Sequence, residues 1–165
     1  MTGPRGRLAR LDALEAAHMA RIDGARASNW AQLEAAQERL SPAHRDAWED
    51  AWQVTEHGQD PDALARIRRA CAHLPDGLPV PHPAKEDAEA WADAALNVPG
   101  GAPLLAPPAE RVPAFLAYFE ACAAWCVAEA VRVPLSPDVH RLARWGAALW
   151  TFEAALCGVL AGGTA

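Results

Sequence analysis

Glu153 is the residue whose sequence surroundings point most directly to chemistry. At about 100° per residue along a helix, it falls among Leu142, Leu149, Leu156, Cys157 and Leu160. A carboxylate in such an apolar stripe loses its solvation, which raises its pKa or demands a cationic partner. One reading makes Glu153 a general acid/base or a metal ligand. The other makes it half of a structural ion pair, which perturbs a pKa just as strongly. The ion pair is the expectation, with Arg144 or Arg132 as the cation. Glu129 and His140 are the remaining catalytic candidates. Glu129 shares a helix side with Tyr118, Cys122 and Trp125, whereas Glu120, on the other side, lies with Leu116, Val127 and Val131. Those two glutamates therefore cannot serve one site.

Metal and anion chemistry have partial signatures. Carboxylate-bridged metal bundles use a Glu-x-x-His pair from each of two helices plus two further glutamates. This chain offers the pair Glu15 and His18 without a second. Cys122 and Cys126, four apart, put two thiols on one helix side. Zinc takes four ligands, and the others would have to come from Cys157 or His140. Packing as small hydrophobes is the better account of the cysteines, so no metal or cofactor is expected. His140, Arg141 and Arg144 open the last helix, where the helix dipole favours an anion; a solvated polar side is the better account of them, because the opposite side is the apolar one. Arg66, Arg68, Arg69 and His73 form a second basic cluster. A glycine-rich phosphate loop, a G-x-S-x-G elbow, H-E-x-x-H and paired C-x-x-C are all missing from the sequence.

Tryptophan is abundant, with seven in 165 residues. Its large amphipathic ring concentrates at interfaces and pockets. Trp48, Trp52, Trp145 and Trp150 are the interface candidates, together with Leu104 and Leu105 in a proline-rich loop; large rings filling gaps left by small alanines in the core is the slightly favoured account of the tryptophans.

The elements that must carry these residues are helices. Alanine makes up about a quarter of the chain, and it is the best helix former. Leu8, Leu11, Leu14, Ala17, His18, Ile22 and Ala25 recur at three and four spacing, and Trp30, Leu33, Ala36 and Leu40 continue the pattern past Gly24 and Ser28-Asn29. This predicts one long helix with a weak point at that interruption. Ser41-Pro42 reads as an N-cap and first helical residue, opening a helix to about His57. Asp60-Pro61 opens another to about His73. LPDGLPVPHP, residues 74–83, is an extended connector, since proline disfavours helix in the residue before it. A helix over 84–98 follows, then the loop 99–108, expected to be the most mobile segment. Two apolar helices over 114–131 and 138–161 close the chain. The first is apolar on nearly every side, so it must be covered by a core, an interface or a membrane. Glu120 and Glu129 in the first, and His140, Arg141, Arg144 and Glu153 in the second, disfavour a membrane span.

The expected fold is therefore all-α: a single-domain bundle of five to seven helices with the C-terminal hairpin at its centre. An N-terminal helical half (5–74), the connector (75–83) and a C-terminal helical half (84–161) make up the domain. The net charge of −6 lowers the prospect of nucleic-acid binding. Lys85 is the only lysine among 15 basic residues, a bias typical of GC-rich bacterial genomes. The N-terminus has arginines but no apolar signal-peptide core, and the cysteines lack a disulfide-framework pattern, so four free thiols and a cytoplasmic setting are expected. The expected function is a non-catalytic interaction or scaffold protein, self-associating or binding a protein partner through apolar and tryptophan-rich helix sides. The alternative is a ligand-binding or metal-dependent helical enzyme with its site near Glu153.

Overall fold

The computed structural model describes the backbone of residues 4–55, 82–99, 101–132 and 137–162, and the side chains of 12–51, 53, 82–99, 101–131 and 137–162. It is all-α. Five α-helices stand among the described residues: α1 (Pro4–Glu38), α2 (Pro42–Thr55), α3 (Lys85–Leu96), α4 (Val112–Arg132) and α5 (Pro137–Leu160), with one 3-10 turn at Ala109–Arg111. The expected helix over 61–73 and most of the connector lie outside the described residues.

Local chemistry accounts for the boundaries. Ser41 caps α2, its hydroxyl accepting the amide of His44 at 3.2 Å. Pro42 and Pro137 each open a helix, where their missing N–H costs nothing. Gly162, at φ +77°, ends α5 in the left-handed region that glycine enters without strain. The long α1 runs unbroken through Gly24 and Asn29. Among the described residues, no neighbour lies within 4 Å of where a Cβ on Gly24 would stand.

Helices α4 and α5 pack along each other, α2 and the C-terminal part of α1 lie against α5, and α3 lies against α4. The core between them holds Phe115, Tyr118, Phe119, Leu149, Trp150 and Phe152. Small residues let the helices approach: Ala143, Gly146, Ala147 and Ala148 of α5 are all buried. Trp91 of α3 packs on both Phe115 and Phe119 of α4, with ring centroids 5.9 and 6.1 Å away. Trp48 of α2 lies 4.4 Å from Phe152 of α5. Residues 12–21 of α1 are exposed all round, so this end of the helix stands clear of the described body.

The loop expected to be most mobile is tied down. The Asn29 side chain donates to the Ala102 carbonyl at 2.8 Å and accepts the Leu104 amide at 3.0 Å. The Trp91 indole N–H donates to the Leu105 carbonyl at 3.0 Å. Gly101, at φ +87°, sits so close to Ile22 that a Cβ there would meet its side chain at 2.7 Å. The sequence interruption at Asn29 is thus a clamp for a distant loop rather than a weak point in the helix.

Candidate functional site

Two regions gather the functional candidates, one inside α4 and one outside it. The inner region is a line of polar groups. Tyr118, buried on α4, donates its hydroxyl to the Glu89 carboxylate on α3. Cys122, one turn along α4, is hydrogen-bonded to Tyr118 and feels the charge of Glu153 across on α5. Glu153 is 2% exposed. Its carboxylate is engaged within the fold, as a buried charge must be. The His82 ring closes one end, 5.8 Å from Tyr118.

This line is built to hold protons rather than to release them. Burial pushes the Cys122 thiol up to about 11; Glu89 and Glu153 add to the rise, while the Tyr118 hydrogen bond and Lys85 oppose it. Burial alone pushes Cys157 up to about 11. Tyr118 is held well above its ordinary value, by burial first and by its bond to Glu89 second. A thiol nucleophile or metal ligand acts as the thiolate, which these groups do not form near neutral pH. Cys122, Cys126 and Cys157 are buried and stand outside any disulfide among the described residues; Cys71 lies outside the described residues.

The predicted site residues are dispersed. Glu129 is buried on the same side of α4 as Tyr118 and Cys122. His140 and Arg144 are exposed on the outer side of α5. Arg144 is nine residues from Glu153 and so half a turn round the helix, which removes it as the expected partner; the Arg132 side chain lies outside the described residues. Arg141 leans the other way, its Nε 3.8 Å from Asp50, which also accepts the Trp145 indole N–H at 2.9 Å. The anion candidates therefore do not converge. Glu15 and His18 are exposed on α1, and no group of three or more His, Cys, Asp or Glu among the described residues is arranged to hold a metal.

Three of the tryptophan interface candidates take the other reading, that of core filler. Trp48, Trp145 and Trp150 are buried and fill the core of the single chain. The Trp52 side chain lies outside the described residues. Leu104 is partly buried under the loop clamp, and Leu105 is exposed. Trp30, read in the sequence as one member of an apolar stripe, is 65% exposed.

The outer region is the solvent side of α4. Ala117, Ala124, Val127, Ala128 and Val131 are exposed there, Val127 at 48% and Val131 at 81%. Glu120 is the one charge among them. Beside it runs an open groove of about 400 Å³, walled by Leu116, Glu120 and Ala123 of α4, by Thr151, Ala154, Ala155 and Gly158 of α5, and by Arg39 after α1. Neither Glu153 nor Glu129 lines it. The span from Ala109 to Val131 is long and apolar enough to cross a membrane by length and composition alone, but its inner half is the core of this fold. Compared with known proteins, the chain matches no family model, no curated protein and no solved structure.

Proposed function

We propose that this chain is a non-catalytic, cytoplasmic interaction protein that self-associates through the outer side of α4, as a single helical domain of five to seven helices built around the α4–α5 hairpin. One observation carries the reading: a long helix leaves an apolar strip, Ala117, Ala124, Val127, Ala128 and Val131, uncovered among the described residues. Exposed apolar residues scattered singly are ordinary, whereas a contiguous strip marks an interaction surface. The alternative reading, an enzyme centred on Glu153, has less support. The described groove does not reach that carboxylate, and the thiols beside it stay protonated near neutral pH.

Sedimentation velocity of the full chain over a micromolar concentration series tests the proposal. A dimer or larger species is expected at the upper end. Val127→Glu together with Val131→Glu is expected to return the chain to monomer with its helical circular dichroism intact. A wild-type monomer throughout would refute the reading.

A further inference from the structure

We infer that the groove between α4 and α5 is the seat for a second copy of this chain, docked by a two-fold axis that sets Glu120 of each copy against Arg39 of the other. The inference rests on the self-association proposed above and adds the contact that would specify it. Shape and charge argue for it separately.

The walls of the groove include Ala123, Ala154, Ala155 and Gly158, residues too small to fill it from within. Val127 lies one turn of α4 beyond Ala123, and Val131 one turn further. The surface thus presents a hollow and a pair of projecting apolar side chains next to each other. A two-fold operation brings identical patches together in opposite sense, so each copy's projections meet the other's hollow.

The charges repeat that arrangement. The groove has one acidic wall residue, Glu120, and one basic one, Arg39. Glu120 is exposed at the centre of an otherwise apolar strip, an expensive place for a charge to be covered unless a cation comes with the cover. A second copy brings Arg39. A guanidinium carries five N–H donors, so Arg39 can serve a second carboxylate beside the contacts it makes in its own chain. An overall charge of −6 makes two copies repel at long range, and a local pair of opposite charges, used twice, offsets this at contact. The same negative charge disfavours an anionic membrane surface as the occupant.

Charge reversal with mixing tests the assignment in the full chain. Glu120→Arg alone and Arg39→Glu alone each place like charges together twice per dimer, and each is expected to weaken dimerisation by about tenfold or more. An equimolar mixture of the two single variants is expected to recover a dimer, detected as a heterodimer by native mass spectrometry, because both contacts are then attractive. The double variant in one chain should recover a homodimer. A contact within one chain cannot produce rescue by mixing. Thermal melting of each variant identifies any that fails to fold; Glu120→Arg, at an exposed position, supports the comparison if Arg39→Glu does not fold, through its own weakened dimer. A wild-type dimer that neither reversal weakens would overturn this seat and leave self-association standing. A wild-type monomer, whether free or bound to neutral lipid vesicles, would overturn both.

Discussion

On one side of α4, Phe115, Phe119, Cys122 and Cys126 are turned into the core; on the other, Ala117, Ala124, Val127 and Val131 face solvent. Both sides are apolar, and both carry a glutamate. What separates them is bulk and cover. The inner side has aromatic rings that reach α3 and a tyrosine hydroxyl whose acceptor is provided on the neighbouring helix. The outer side has small alanines, with Val127 and Val131 standing out beside an open groove. Helix association across small residues needs close backbone approach, and a second helix is the object that can make it. The comparison therefore teaches that apolar character says a side must be covered, whereas side-chain size says by what.

The largest expected effect lies on the inner side. Phe119 is wholly buried, so Phe119→Ala should remove about 3–5 kcal/mol of stability through lost burial and the cavity left behind. Urea unfolding followed by circular dichroism measures it. A loss under about 1 kcal/mol would mean that the inner side is not a packed core, and the contrast between the two sides would collapse.

Much of this contrast was hidden in the sequence, for a physical reason. Helix punctuation was legible where it is local: Ser41-Pro42 acts on its own turn. The burial of Glu153 was legible because its apolar neighbours recur at helical spacing. Which side of α4 is covered was not legible, since a helix apolar all round has no periodicity to read. The tryptophans carried the same ambiguity, as one residue type serves both cores and interfaces. Trp48, Trp145 and Trp150 went to the core. The loop clamp depended on Asn29 meeting residues 73 and 75 positions away, which no local pattern announces.

A middle-sized effect comes from the thiols of the inner side. Cys122 and Cys157 are raised from an ordinary value of 9.0 to about 11 in the folded chain. Well below pH 9 they are protonated whether folded or not, and stability there does not vary with pH through them. Between about pH 9 and 11 the unfolded chain loses these protons and the folded chain keeps them. The unfolded state then binds fewer protons, so stability falls as pH rises, by at most about 1.4 kcal/mol per pH unit for each thiol. Tyr118 acts in the same direction above its ordinary value of 10.0. Urea midpoints should be level from pH 7 to 8.5 and decline above 9, and Cys122→Ala with Cys157→Ala should make that decline shallower. An unchanged slope in the double variant would show that these thiols ionise as freely folded as unfolded.

The smallest effect sharpens the comparison most. Val127→Ala removes two methyl groups from the outer side, where half of the residue is already in water, and alanine is the better helix former. In a dilute solution of single chains, its melting temperature should correspond to a change within about 0.5 kcal/mol, the range of surface substitutions. The same variant at high concentration should associate more weakly, because there the valine is proposed to fill the groove of another copy. The two measurements pull apart only if the cover for this side comes from outside the chain. A loss of about 2 kcal/mol in the dilute chain would mean that the chain covers Val127 itself, making both sides of α4 interior and removing the surface on which self-association is argued.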